Sequence, residues 1–266
     1  MRATRLSRLF RTLAVGFAAG GGTDVVARIM AQKMSEILHQ TIVVENRTGA
    51  SGMIAAQDVA KADPDGYTLM MGSQTTFAVA PRLYRKVTVD PQKDFAGVAL
   101  TGASPLVLVV NPSFAAHSVA DVITMARTDP GKINFGTGGL GTTPHRTAEL
   151  FEHDAGIKLV HAAYRGEAGA INDLLVPLMF ANLSAVMGNI KGGTLRALAV
   201  TSAKRSPFAP EIPTVAESAL PGFAAETWFG IVAPAETPAD IRSKLKPPPE
   251  SRPGATTPGR DSPNSA

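Results

Sequence analysis

The 266-residue chain contains no cysteine. That absence removes disulfides, thiolate nucleophiles and Cys-ligated zinc or iron–sulfur centres. Tryptophan and tyrosine are scarce, with one Trp and three Tyr, too few and too scattered for the stacking surface of a nucleic-acid binder. The net charge of +4 is matched by Arg2, Arg5, Arg8 and Arg11 alone. The basicity therefore belongs to the start of the chain and not to its body, and no nucleic-acid partner is expected. No apolar run reaches the roughly 18 residues needed to span a bilayer. Chemistry-bearing patterns are missing as well. The five histidines, His39, His117, His145, His153 and His161, lack the spacing that places two imidazoles on one metal, and there is neither a nucleophile elbow nor a Walker lysine. The carboxylate pairs Asp63/Asp65 and Glu149/Glu152 fall in a turn and on a helix face, where solvated or capping roles are the default. No catalytic residue, metal or cofactor is assigned, and a binder is favoured over an enzyme.

What remains is a chain with 44% hydrophobic and 18% charged residues, ordinary for a globular protein and long enough for one large domain or two modest ones. Residues 1–12 form a basic, signal-like segment. The apolar residues 13–19 read either as the core of a secretory signal or as a first strand that feeds the glycine-rich run 20–24. At the other end, residues 246–266 hold six prolines and no Leu, Ile, Val or aromatic residue. Such a composition cannot offset the entropy of ordering, so a disordered tail is expected. Between these ends, helix-period and strand-like segments alternate. Val25, Val26, Ile29, Met30, Met34, Ile37 and Leu38 recur at helical spacing over residues 24–38, with Thr23 or Asp24 as the expected N-cap. The turn Asp63-Pro64-Asp65-Gly66 launches a strand at 67–71. Further strands are expected at 42–45, 106–110, 133–135, 158–162 and 195–201, and helices at 52–62, 119–127 and 144–154. This β-α-β alternation predicts an α/β fold with a mainly parallel sheet.

Three loops carry the candidate site. The first is Gly20, Gly21, Gly22, Thr23 and Asp24. The second follows the strand at 67–71 and holds Ser73, Gln74, Thr75 and Thr76. The third, GTGGLG at 136–141 followed by Thr142, Thr143 and His145, runs from a strand into a helix. In open α/β sheets ligands gather at the carboxyl ends of strands. Small residues there let backbone N–H groups approach a ligand, and a helix amino terminus favours negative charge. The third loop also matches the G-x-G-x-x-G fingerprint, but no acidic residue ends a strand about 20 residues later to meet a ribose hydroxyl. A nucleotide-dependent oxidoreductase built on residues 136–141 remains the competing reading, beside three ordinary strand-to-helix turns.

A series of ordered blocks resembles the Bug or TctC-type solute-binding proteins of tripartite tricarboxylate transporters. They are GGGTDVVAR at 20–28, VVENR at 43–47 with Gly49 and Gly52, ADPDGYTL at 62–69, PQKDF at 91–95, PGKINF at 130–135, the loop 136–145, His161 with Tyr164-Arg165-Gly166, LRALAVT at 195–201 with Lys204 and Arg205, IPTVAE at 212–217 and WFGIVAP at 228–234. The resemblance spans about residues 13–245. It implies a periplasmic-binding-protein-like fold, with two α/β lobes joined by two crossovers and a ligand cleft between them. The lobes are expected to comprise residues 13–99 with 228–245, and residues 100–227, with crossovers near 98–103 and 227–232. The resemblance further implies a periplasmic, monomeric protein that binds a small di- or tricarboxylate through Gly20, Gly21, Gly22, Thr23, Asp24, Ser73, Gln74, Thr75, Thr137, Gly138, Gly139, Gly141, Thr142, Thr143 and His145. Its partners would be the membrane components of the transporter.

The chain also departs from the family pattern. Ala181 stands where an Asp that meets a ligand ammonium is expected, which disfavours an amino-acid ligand. Ala162-Ala163 replaces Val-Pro, and Ala80 replaces Asn. Residues 174–177 are short of a turn, which is expected to strain the second lobe. Both ends look shortened, and a truncated relative without function is the remaining alternative.

Overall fold

The computed structural model describes residues 10–84, 89–173 and 176–247. Most of the basic segment, nearly all of the expected tail and the shortened turn at 174–175 lie outside the described residues. Nine strands are described: β1 (Arg11–Val15), β2 (Ile42–Asn46), β3 (Thr68–Ser73), β4 (Phe95–Val110), β5 (Asn134–Thr137), β6 (Val160–Ala163), β7 (Leu178–Asn182), β8 (Arg196–Val200) and β9 (Glu226–Pro234). The helices are α1 (Gly22–Leu38), α2 (Met53–Ala60), α3 (Ala80–Leu83), α4 (Val119–Thr128), α5 (Thr143–Ala155), α6 (Glu167–Asn172), α7 (Leu183–Lys191), α8 (Val215–Ser218) and α9 (Ala239–Leu245). A single π turn, Thr75–Val79, precedes α3.

The strands run in the order β2-β1-β3-β9-β4-β7-β5-β6, with β8 also on β4. Among the described strands, parallel strand pairs occur in two groups, β2-β1-β3 and β7-β5-β6. The expectation of a mainly parallel sheet thus holds within each half and fails between them. The long strands β4 and β9 run antiparallel to each other and to their neighbours, because they carry the chain from one half to the other and back. Residues 95–105 of β4 pair with β9, and residues 106–110 pair with β7. Two register shifts, at Gly97/Ala99 and Leu100/Gly102, interrupt the β4–β9 ladder. These two strands are the crossovers between two α/β halves.

Each half is built by the two-residue alternation of a strand covered on both faces. In the first half, Leu13 and Val15 of β1 face Met30 and Met34 of α1, while Ala14 faces Met53 and Val59 of α2. In the second, Leu106, Leu108 and Val110 of β4 face Phe135, Phe151 and Phe180, while Val107 and Val109 face Met179 and Val186. The fully buried Leu, Met and Phe side chains each contribute roughly 1.5–3 kcal/mol of transfer free energy. Residues 11–15 therefore take the strand alternative, buried between β2 and β3. Ala181 is a fully buried part of this second core, so its methyl is a packing group.

Local signals explain two of the helix starts. Ser118 and Asp121 form a capping box on α4, as Thr214 and Glu217 do on α8. Helix α1 departs from expectation, since its N-cap is Gly21, not Thr23 or Asp24. Asp24 lies in the first turn and accepts the N–H of Gly20 at 2.9 Å, so its side chain caps from inside the helix. No described helix is long and apolar enough to cross a membrane.

Candidate functional site

The three glycine- and hydroxyl-rich loops leave the carboxyl ends of β1, β3 and β5, and they converge on one cavity of about 40 Å³. Gly21, Gly22 and Thr23 reach it from the first loop, Ser73 and Thr75 from the second, and Gly138, Thr142 and Thr143 from the third. Thr227 and Phe229 of β9 close the back, and Phe17, Pro144, Glu167 and Asn182 complete the wall. A second compartment of about 370 Å³ adjoins it, sharing Phe17 and Gly138 and reaching Ser51, Tyr84 and Arg165. The first cavity holds little more than water.

Hydroxyl groups tie the two sides of the cleft together. Thr143 donates its backbone N–H to Thr75 Oγ1 at 2.9 Å, and the two hydroxyls lie 3.1 Å apart. Thr143 Oγ1 also lies 3.4 Å from Thr227 Oγ1 and donates to Gln74 Oε1 at 3.5 Å. Thr75, Thr143 and Thr227 are all buried. Among the described residues, no lysine or arginine lines this cavity. An anion here would be held by neutral O–H and N–H donors and by the amino-terminal ends of α1 and α5, which carry partial positive charge.

Not every residue singled out from the sequence reaches the wall. The Asp24 carboxylate is turned away, accepting from Gly20 N–H, from Arg28 through two nitrogens at 2.9 and 3.0 Å, and from Asn46 Nδ2 at 2.8 Å. Burial alone would push this carboxyl up, but the hydrogen bonds from Arg28, Gly20 and Asn46 together hold it below the usual carboxylate range. The Gly20 N–H is spent on that carboxylate. Gln74 meets the site only through Thr143. Thr137 and His145 brace the third loop from behind. Thr137 Oγ1 lies 2.6 Å from His161 Nε2 and accepts the Gly139 N–H at 3.2 Å, and the Gly141 N–H donates to His145 Nδ1 at 3.2 Å. Phe135, His161 and His145 stack, with ring centroids 5.0 and 4.1 Å apart. Burial lowers the pKa of both histidines below the ordinary imidazole value.

The glycines of the third loop answer to packing. A Cβ on Gly138 would stand 2.8 Å from the Glu167 backbone nitrogen, so this glycine lets α6 approach the loop. In the dinucleotide fingerprint the corresponding freedom admits a pyrophosphate. Here protein fills that space.

Sequence reasoning missed Phe17, Pro144, Asn182, Thr227 and Phe229 in the wall, and above all Glu167. Glu167 is 7% exposed, and its carboxylate accepts the Gly22 N–H at 2.8 Å, the Asn182 N–H at 2.5 Å and Asn182 Nδ2 at 2.9 Å. Burial raises its pKa, and the three N–H groups only partly oppose that shift. Asn182, also 7% exposed, has no hydrogen-bond partner for its Oδ1 among the described residues. In the sequence Glu167 is one acid after a turn, and its only available signal was its place directly behind Tyr164-Arg165-Gly166.

Comparison with known proteins agrees with this architecture. The model of the tripartite tricarboxylate transporter family receptor, TctC, matches residues 26–257. A UPF0065 protein from the tcbD–tcbE intergenic region of Pseudomonas sp. strain P51 is 40% identical over 88% of this chain and 70% of its own. The protein BugT of Bordetella pertussis is 38% identical over 85% of this chain and 71% of its own. Among solved structures, R. palustris Rpa4515 with adipate superposes with a TM-score of 0.86 at 38% identity, covering 91% of this chain and 81% of that one. MatC of Rhodopseudomonas palustris with bound malate gives 0.81 at 30% identity, with coverages of 91% and 82%. The periplasmic binding protein BugD gives 0.83 at 34%, with coverages of 91% and 80%. With its two α/β halves, crossover strands and a cleft ringed by strand-end loops, this chain belongs to the TctC family of tripartite tricarboxylate transporter receptors, the family of the Bug proteins.

Proposed function

We propose that this protein is a periplasmic, monomeric solute-binding protein that takes a small di- or tricarboxylate in the cleft and presents it to the membrane components of a tripartite transporter. The observation that carries the reading is the convergence of the three strand-end loops on one cavity whose donors are hydroxyls and amides, and which no cationic side chain among the described residues lines. Neutral, fixed donors suit a carboxylate that must be both captured and released, since each hydrogen bond to a charged group contributes roughly 1.5–3 kcal/mol. Relatives of the same fold are known with adipate and with malate bound, and both are dicarboxylates.

In this reading residues 13–99 with 228–245 form one jaw and residues 100–227 the other. Gly21, Gly22, Thr23, Ser73, Thr75, Gly138, Thr142 and Thr143 contact the ligand, while Gly20, Asp24, Gln74, Thr137, Gly139, Gly141 and His145 hold the loops in shape. The cavity of about 40 Å³ is far below the roughly 300 Å³ typical of small-molecule pockets. Ligand entry therefore requires the jaws to part about β4 and β9, and the second compartment of about 370 Å³ lies where the far end of a longer ligand would extend. Isothermal titration with adipate, malate and citrate tests the reading. Saturable binding of at least one, weakened about tenfold or more by Thr143→Val, is the expected result. A cooperatively folded protein that binds none of the three overturns it.

A further inference from the structure

We propose that Glu167 is a built-in occupant of the ligand's carboxylate position: in the empty protein it fills the amide cradle at the start of α1 and ties the cleft shut, and an arriving carboxylate takes the cradle from it. The inference rests on the reading of the cleft as a carboxylate site.

Three features carry it. The first is the geometry of the cradle. Glu167 stands at the start of α6 on one side of the cleft, and the Gly22 N–H that it accepts at 2.8 Å belongs to α1 on the other side, 145 residues away in sequence. With the two N–H groups of Asn182, that makes three amide donors around one carboxylate, and Glu167 forms no ion pair among the described residues. A buried carboxylate held by the Gly22 amide at the start of the 17-residue α1 and by the two N–H groups of Asn182, the N-cap of α7, is placed as proteins place free anions, at helix amino termini. Here the anion is the protein's own.

The second feature is the accommodation of the backbone around it. A Cβ on Gly22 would meet Asn182 Cβ at 2.4 Å, and one on Gly138 would meet the Glu167 nitrogen at 2.8 Å. Two of the three site loops thus use glycine where they press against the residues that make this cradle. The third feature is incomplete satisfaction. Asn182 Oδ1 is buried in the same wall and has no hydrogen-bond partner among the described residues, so the arrangement with Glu167 in the cradle leaves one of its polar atoms unmatched by protein, which is costly.

The volumes supply the consequence. With Glu167 in the cradle the cavity is about 40 Å³, and a second carboxylate placed there would face a like charge in a low-dielectric site. Withdrawing the Glu167 side chain frees the Gly22 and Asn182 donors. It also opens the cavity on the side of Gly138, a residue that both compartments share. The ligand and Glu167 compete for the same three N–H groups, so Glu167 sets the affinity and keeps the unliganded cleft closed.

The test compares wild type with Glu167→Ala and Glu167→Gln by two measurements, small-angle scattering of the ligand-free proteins and calorimetric titration with adipate. Glu167→Ala is expected to show a larger radius of gyration without ligand and to bind adipate about tenfold or more tightly, one hydrogen bond to a charged group being enough for that factor. Glu167→Gln, which keeps one acceptor and loses the charge, is expected between the two, and it decides the matter if Glu167→Ala does not fold. An unchanged radius, or adipate affinity equal to or below that of wild type in a cooperatively folded variant, overturns the proposal. If neither wild type nor variants bind adipate, malate or citrate, the carboxylate reading fails, and the ligand-free radius alone then supports or overturns the closing role of Glu167.

Discussion

Two buried carboxylates flank the amino terminus of α1, and they are held in opposite ways. Asp24 is 2% exposed and Glu167 is 7% exposed. Asp24 comes from α1 itself and meets a cation, Arg28, together with Gly20 N–H and Asn46 Nδ2, and its pKa is lowered. Glu167 comes from the far side of the cleft and meets amides only, and its pKa is raised by burial. Burial of a charge is tolerated when a partner charge and hydrogen bonds replace water, and is costly otherwise. Asp24 is therefore a fixed strut of the first loop, whereas Glu167 is a buried carboxylate without a partner charge, in the position we propose for a ligand's carboxylate.

The largest effect expected from breaking this contrast is at the strut. Asp24→Ala removes the acceptor of Gly20, Arg28 and Asn46 at once and empties the buried space that its carboxylate fills. We expect a loss of about 3 kcal/mol, read as a lowered midpoint in urea unfolding. A loss below about 1 kcal/mol would mean that the strut is dispensable. Next comes the cradle. Gly22→Ala drives a methyl into Asn182, and overpacking of this kind costs about 2 kcal/mol. Because the same methyl displaces the Glu167 partner, the variant should also show an enlarged ligand-free radius of gyration. Preservation of both stability and radius would show that the cradle is looser than its distances indicate.

The smallest effect is a slope with pH, and its sign separates the two carboxylates. A lowered folded pKa, as for Asp24, contributes stability that is present above the ordinary carboxylate value and is lost as pH falls through the lowered one. A raised folded pKa, as for Glu167, contributes stability that is present below the ordinary carboxylate value and is lost as pH rises through the raised one. Compared with wild type, Asp24→Asn should flatten the loss of stability at acid pH, and Glu167→Gln should flatten a loss on the approach to neutrality. Thermal melts of the three proteins across that range check both signs, and identical slopes for wild type and Glu167→Gln would remove the distinction.

Much of the fold is legible in the residues. The stripe Val26, Met30 and Met34 marks α1, the turn Asp63-Pro64-Asp65-Gly66 places β3, and the alternation of strands and helices marks an α/β protein, because these signals are local and periodic. The antiparallel crossovers are not legible in that way, since nothing local distinguishes a strand that pairs within one half from one that leaves it. The same divide runs through the site. Eight of the residues singled out in the loops line the cavity, namely Gly21, Gly22, Thr23, Ser73, Thr75, Gly138, Thr142 and Thr143, because a glycine or hydroxyl at the carboxyl end of a strand announces itself. Asp24 and His145 carry equally suggestive chemistry but turn to Arg28 and Gly141, a choice made by side-chain partners brought together by folding.

The amino-acid order by itself determined the secondary-structure periodicity, the three polar loops at strand ends, and the absence of thiolate ligands. Those properties depend on neighbours within a few residues. Only the tertiary structure decided that the loops meet around one small cavity, that Asp24 is paired with a cation, and that Glu167 crosses 145 positions of sequence to the Gly22 amide. The reason is that desolvation and hydrogen bonding depend on what surrounds a group in space, and a carboxylate's surroundings do not exist until the two halves close on it.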